Sequence, residues 1–88
     1  MDALQGRVCL ITGGAGSIGR AVAKLFADEG AQLVLSDLAE SALATARAEI
    51  GSHRAVTVAG DVTRAEDAAR MVETAISAFG RLDVVVSN

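Results

Sequence analysis

Aromatic side chains are almost absent from this sequence: its 88 residues include two phenylalanines and neither tryptophan nor tyrosine. Hydrophobic residues nevertheless make up 51% of the chain, and the mean hydropathy is +0.40. Aromatic residues are enriched at recognition surfaces, so this composition favours a buried parallel sheet covered by helices of small residues. The length allows one domain at most, which would bury only about 60 to 65% of its unfolded surface.

An excess of positive charge is also missing. The net charge is -3, the isoelectric point is near 4.9, and no cluster of basic residues occurs. Binding to a phosphate backbone needs a basic stripe. The charge therefore argues against nucleic acid, and no nucleic-acid partner is expected.

Cysteine, histidine and long apolar runs are equally scarce. Cys9 is the single cysteine, so no internal disulfide can form and a reducing compartment is expected. His53 has no second ligand nearby, so no metal site is predicted. Residues 1–5 do not resemble a signal peptide, and no apolar run reaches the roughly 18 residues of a membrane span. We expect a cytoplasmic protein with no membrane contact.

Short apolar runs alternate with stretches of helical periodicity, which predicts an α/β fold. Strands are predicted at 7–11, 32–36, 55–59 and 82–86, and helices at 18–26, 39–50 and 65–79. Right-handed crossovers give a parallel sheet of spatial order 3-2-1-4, the first half of a doubly wound fold. A crevice is expected between strands 1 and 4, where the order reverses.

A glycine-rich turn follows the first strand. The spacing Gly14-x-Gly16-x-x-Gly19 fits the dinucleotide fingerprint, in which glycines permit a tight turn, a close backbone approach to a diphosphate, and packing of the helix on the strand. The first amides of the next helix have no internal partners and lie at the positive end of its dipole. A turn of this kind can bind a diphosphate, although glycine-rich loops without a ligand also occur.

Asp37 is predicted at the carboxyl end of the second strand, beside this turn. Its carboxylate can accept hydrogen bonds from the adenosine ribose and would repel a 2′-phosphate. Its neighbours are Ser36 and Leu38, so no adjacent arginine favours that phosphate, and NAD is predicted over NADP. The alternative is a capping box, Asp37-x-x-Glu40, at the start of the second helix.

The third helix carries two further predictions. Thr63-x-x-Glu66 is predicted to form a capping box. A buried stripe is predicted at helical spacing, comprising Ala65, Ala68, Ala69, Val72, Ala75, Ile76 and Phe79. Just before this helix, Asp61 either caps the helix region or accepts a hydrogen bond from an adenine amino group while Val62 covers the ring.

Together these segments resemble the amino-terminal part of a short-chain dehydrogenase/reductase. The resemblance rests on residues 12–19, Asp37, residues 60–62 and residues 79–88, and implies a Rossmann-type fold. It implies that the diphosphate is surrounded by Gly13, Ser17, Ile18 and Gly19. It also implies that Asp37 holds the ribose, that Asp61 and Val62 frame the adenine, and that Asn88 lies beside the cofactor.

The same resemblance implies an oxidoreductase that transfers hydride between NAD(H) and an alcohol or ketone. Members use a serine, a tyrosine and a lysine for this chemistry, and the chain contains no tyrosine. We therefore expect residues 1–88 to be the amino-terminal part of one NAD(P)-binding domain, truncated after the fourth strand and inactive alone. The longer protein is expected to form homo-oligomers. Two alternatives stay open. One is a nucleotide-sugar epimerase or dehydratase with bound NAD, from the extended branch of the same family. The other is a non-catalytic nucleotide-binding half-domain.

Overall fold

The first strand lies inside a four-stranded parallel sheet, paired on both of its edges. The computed structural model describes residues 3–51 and 53–88. The elements are β1 (Val8–Thr12), α1 (Ser17–Asp28), β2 (Gln32–Asp37), α2 (Glu40–Ile50), β3 (Ala55–Ala59), α3 (Ala65–Phe79) and β4 (Val84–Val86). The strand order is β3-β2-β1-β4, which confirms the predicted topology.

Two hydrophobic clusters cover the two faces of the sheet. One cluster includes Cys9, Ile11, Leu33, Leu35 and residues of α1 and α2. The other comprises Val8, Leu10, Val34, Met71 and Ala75, with Val56, Val58, Phe79 and Leu82 packed against it. Because side chains alternate along a strand, successive residues within β1, and likewise within β2, lie in opposite clusters. Both faces are therefore apolar, as is usual for a parallel sheet.

The predicted buried stripe of α3 is partly wrong. Met71 and Ala75 are the fully buried residues of the helix, whereas Val72 and Ile76 are 43% and 49% exposed. An apolar stripe this wide spans more of the helix surface than the strands beneath it cover. The long and flexible Met71 side chain fills the space against β1 and β2.

The predicted capping box at Thr63 is also wrong. The helix begins one residue later than that pattern requires, with Arg64 as N-cap and no side-chain cap. The Thr63 hydroxyl instead donates to Asp61 Oδ1 at 2.6 Å, and Glu66 accepts from the Arg64 side chain at 3.3 Å. The start of a helix presents amide donors, so the proton of the hydroxyl finds its acceptor in the neighbouring carboxylate of Asp61.

Asp37 does not cap α2 either. The N-cap of that helix is Ala39, again without a side-chain hydrogen bond, and the helix begins at Glu40. The Asp37 carboxylate is used elsewhere, as described below. Other boundaries shift slightly: β1 lies one residue later than predicted, β2 extends one residue further, and β4 is confined to three residues.

Within residues 3–51 and 53–88, no helix is both long and apolar enough to cross a bilayer.

Candidate functional site

The turn between β1 and α1 is shaped by close backbone contacts. Gly13 has a φ of +66°, in the left-handed region that favours glycine. A Cβ atom on Gly19 would lie 2.1 Å from the Gly13 carbonyl oxygen, so only glycine allows α1 to approach the turn this closely. The Gly16 amide donates to the same carbonyl at 3.1 Å. These contacts fix the start of α1 directly after the end of β1.

The first turn of α1 is left open to an anion. Its N-cap is Gly16, which has no side chain, and no acidic residue occurs in the first turn. The amides of Ser17, Ile18 and Gly19 have no partners within the helix, because no helical turn precedes them to supply carbonyl oxygens. Ile18 is 69% exposed, so the helix start is at the surface. This end of the helix therefore combines free donors with positive potential.

The Asp37 carboxylate lies beside the glycine-rich turn. Oδ2 accepts a hydrogen bond from the Ala15 amide at 3.0 Å, and Oδ1 accepts one from the Leu38 amide at 2.8 Å. A carboxylate offers about four acceptor positions, so two bonds leave capacity for ligand hydroxyls. The carboxylate is thus held in a fixed orientation at the carboxyl end of β2.

The ends of β1 and β4 are joined by the Thr12 hydroxyl. It donates to the Val86 carbonyl at 3.3 Å and accepts from the Asn88 amide at 3.2 Å. Asn88 also lies close to the glycine-rich turn, since a Cβ atom on Gly13 would be 3.1 Å from the Asn88 Cβ. The side chain of Asn88 therefore borders the turn on its β4 side.

The segment between β3 and α3 forms a turn around Asp61. Asp61 Oδ1 accepts from the Thr63 hydroxyl and from the Thr63 amide, and these bonds lower the pKa of the Asp61 carboxyl. The Asp61 amide in turn donates to Asp67 Oδ2 at 2.8 Å. Val62 is 49% exposed. Of the two roles foreseen for Asp61, capping of α3 is not observed, because Arg64 is the N-cap and has no side-chain cap, and Asp61 bonds Thr63 in the preceding turn instead. The adenine contact stays a prediction.

These segments surround one cavity of about 170 Å³ at the carboxyl edge of the sheet. The cavity is lined by Thr12, Gly13, Ser36, Asp37, Leu38, Gly60, Asp61, Val62 and Asn88. Six of these were proposed from sequence. The other predicted residues, Gly16, Ser17, Ile18 and Gly19, belong to the adjoining turn and helix start rather than to the cavity lining.

Three lining residues are not among the cofactor-binding residues predicted from sequence: Thr12, Ser36 and Gly60. Thr12 and Ser36 are paired in neighbouring strands, and both are almost fully buried. Strand alternation could have placed them on one face of the sheet. The β-strand pattern gave no sign that their hydroxyls lie at the cavity.

The residues fit an extended anionic ligand that carries a planar apolar group. The glycine-rich turn and the uncapped helix offer amides to a diphosphate, and two acidic residues, Asp37 and Asp61, line the cavity beside them. Leu38 and Val62, exposed by 72% and 49%, offer apolar contact there. No lysine or arginine lines this cavity in the described part of the chain.

The topology and the site define a Rossmann-type α/β domain. The short chain dehydrogenase family matches residues 7–88. The chain belongs to this family, whose members are oxidoreductases that use NAD or NADP.

Individual relatives support the same family and show how much of it this chain spans. The chain is 43% identical over 88 residues to cis-4-hydroxycyclohexanecarboxylate dehydrogenase of Sinomonas cyclohexanicum, covering 99% of this chain and 35% of that protein. A 3-ketoacyl-(acyl-carrier-protein) reductase from Brucella melitensis, solved in complex with NADH, superposes with a TM-score of 0.89 at 37% identity, covering 94% of this chain and 34% of that one. The chain thus spans about a third of the length of these two proteins.

A further solved relative contains the other cofactor. The C-domain of a bacterial malonyl-CoA reductase with NADP superposes with a TM-score of 0.88 at 37% identity, covering 97% of this chain and 15% of that one. Because one relative is solved with NADH and the other with NADP, the family alone does not determine which cofactor this chain prefers.

Proposed function

We propose that this chain binds the adenosine and diphosphate part of NAD in an oxidoreductase that acts on an alcohol or ketone. The observation that carries the proposal is the juxtaposition of the uncapped start of α1 with the fixed carboxylate of Asp37, on either side of the glycine-rich turn. The family match to short chain dehydrogenases favours this reaction over the nucleotide-sugar alternative.

The diphosphate would be held by backbone amides rather than by cationic side chains. Ser17, Ile18 and Gly19 contribute the first amides of α1, and the Ser17 hydroxyl is a further donor. Gly16 leaves space for a close approach, since a Cβ atom there would meet no atom nearer than the Gly13 carbonyl oxygen at 3.5 Å. Oriented amides at a helix start stabilise the negative charge without reorganisation on binding.

The preference for NAD over NADP would come from Asp37. Its two bonds to the Ala15 and Leu38 amides hold the carboxylate in place, so it cannot rotate away from a ribose without losing them. Its charge would repel a 2′-phosphate, and no cationic side chain lines the cavity in the described residues to offset this repulsion.

The adenine would lie between the ends of β2 and β3. Leu38 and Val62 offer apolar contact to the ring, and Asp61 has a carboxylate oxygen that the bonds from Thr63 do not use. Asn88 would border the cofactor on the β4 side of the turn.

The nicotinamide of a bound NAD would accept the hydride. The acid–base groups, which include a tyrosine in the family, would come from outside this sequence, which has no tyrosine. We propose that residues 1–88 form the amino-terminal part of one larger dinucleotide-binding domain. Val72 and Ile76 on α3 and Val85 on β4 are each more than 40% exposed, which suits apolar surfaces that further secondary structure covers.

The test of cofactor preference is the ratio of NAD to NADP affinity in Asp37→Ala, measured by calorimetry on the complete gene product that carries this sequence. Because the substitution also removes the bond to Ala15, we expect weaker binding of both cofactors, with NAD weakened more. Asp28→Ala serves as the control, since Asp28 is exposed at the far end of α1 and should leave both affinities unchanged. An unaltered ratio in Asp37→Ala would contradict the ribose role.

The larger-domain proposal has its own test in the same gene product. If α3 is covered there, Val72→Ala should lower the free energy of unfolding by about 1 to 2 kcal/mol, as for a buried side chain. A loss within about 0.5 kcal/mol would mark Val72 as a surface residue and count against further structure packing at that position.

A further inference from the structure

Ser36 in β2 has a buried hydroxyl without a partner. The residue is 1% exposed, and its Oγ makes no hydrogen bond to any described residue. Leaving a buried hydroxyl unpaired is unfavourable, and most buried polar groups in folded proteins are paired. Such an exception calls for a partner beyond the residues that the structure describes.

The surroundings of Ser36 explain why the fold offers none. Along β2, Val34 packs into the cluster beneath α3, so Ser36 faces the same side two residues on. Its neighbours across the sheet are Thr12 and Val58. The Thr12 hydroxyl donates to the Val86 carbonyl and accepts from the Asn88 amide, and the valine has no polar side-chain atom.

Ser36 is also one of the residues that line the cavity at the sheet edge. The flanking segments supply the walls: Asp37 and Leu38 continue from it, and Asp61 and Val62 lie across the cavity. Because Ser36 borders this cavity, a ligand group or a bound water in it is a candidate partner for the hydroxyl. A hydroxyl both donates and accepts, which suits a purine base with its acceptor ring nitrogens and amino group.

We propose that Ser36 Oγ hydrogen-bonds the adenosine end of the bound dinucleotide, directly or through one bound water, and so contributes to cofactor affinity. This inference rests on the proposed function. The apo protein carries the cost of the unpaired hydroxyl, and the ligand removes it. The residue thus stabilises the complex more than the free fold.

The test compares Ser36→Ala with the unmodified complete gene product by calorimetric titration of NAD, AMP and nicotinamide mononucleotide. We expect the Kd of NAD and of AMP to rise by about 2- to 10-fold, the range of one neutral hydrogen bond. The Kd of the mononucleotide, which lacks adenosine, should not change. Ser77→Ala is the matched control, since Ser77 is exposed on α3 and does not line this cavity.

Thermal unfolding without ligand supplies the second measurement. Because the Ser36 hydroxyl has no hydrogen-bond partner among the described residues, Ser36→Ala should unfold at the same or a higher temperature. Ser36→Cys replaces the hydroxyl by a somewhat larger thiol that is a weaker donor, and it should lose AMP affinity as the alanine variant does.

Unchanged AMP affinity in both variants would overturn the inference while the proposed function stands. A lower unfolding temperature together with equal losses for AMP and the mononucleotide would also overturn it, because the hydroxyl would then be structural. Failure of the unmodified protein to bind either NAD or AMP would overturn the proposed function and this inference with it.

Discussion

Gly19 is the position at which a single added methyl group should separate α1 from the turn. A Cβ atom there would lie 2.1 Å from the carbonyl oxygen of Gly13 and 2.9 Å from its carbonyl carbon. Both atoms are backbone and cannot rotate away as a side chain would. In Gly19→Ala the helix must therefore move by about 1 Å relative to the strand.

The expected loss of stability follows from two opposing effects. Overpacking of a tight contact costs about 1 to 3 kcal/mol, and the rigid backbone of the Gly13 turn suggests the upper end of that range. Replacing glycine by alanine inside a helix raises the free energy of unfolding by about 1 kcal/mol, because alanine has the higher helix propensity. We expect the free energy of unfolding of Gly19→Ala to fall by about 2 kcal/mol.

Urea unfolding followed by far-ultraviolet circular dichroism measures this change without needing an aromatic reporter in the chain. Gly16→Ala is the matched control, because a Cβ atom there would lie 3.5 Å from its nearest neighbour, an ordinary contact. The free energy of unfolding of Gly16→Ala should fall by less than about 1 kcal/mol, the cost of a poorer N-cap. The two variants should both bind NAD less tightly, Gly19→Ala by displacing the amides and Gly16→Ala by narrowing the approach. A Gly19→Ala protein as stable as the unmodified one would refute the close packing of α1 on the turn.

Three further changes test other contacts of the fold. Met71→Ala should lower the free energy of unfolding by about 2 to 5 kcal/mol in urea titrations, because this side chain is 1% exposed, and the loss should exceed that of Val72→Ala next to it. The bond from the Arg81 guanidinium lowers the pKa of Asp83 below its ordinary 3.8. The Asp83 carboxylate therefore stabilises the fold above that pH, and this contribution is lost as the pH falls through the lowered pKa. The unfolding temperature of Asp83→Asn should consequently change less with pH below 3.8 than that of the unmodified protein. Burial raises the pKa of the Cys9 thiol, with a smaller contribution from Asp83, so a thiol reagent at neutral pH should label Cys9 only after denaturation, and rapid labelling of the folded protein would contradict its burial in β1.

The order of the strands and helices could be predicted because local pattern and chain topology agree. Short apolar runs bounded by glycines fix four strands, and right-handed crossovers leave one arrangement for them. The turn after β1 was predictable for a related reason: its glycines are required by backbone geometry, which leaves a direct signature in sequence. Strand and helix boundaries differed by one or two residues, as is usual where ends fray.

The errors arose where side chains had a choice of partner. Thr63 satisfies the spacing of a capping box, yet its hydroxyl donates to Asp61 two residues earlier. Met71 was omitted from the predicted stripe of α3 while the exposed Val72 was included. Spacing alone shows which residues share a helix face, but the position of the helix over the sheet decides which part of that face is buried.

Two adjacent residues of β2 illustrate what sequence could and could not reveal about the site. A carboxylate at the end of a strand before a helix is an obvious candidate for binding, and Asp37 was predicted on that basis. A serine inside an apolar strand reads as a tolerated small residue, and its neighbour Ser36 was passed over. Alternation sends the two side chains to opposite faces of the sheet, so Asp37 contacts the glycine-rich turn while Ser36 faces the α3 side without a partner. In the roles proposed for them, Asp37 would direct its charge at the sugar of the ligand and Ser36 would direct its neutral hydroxyl at the base.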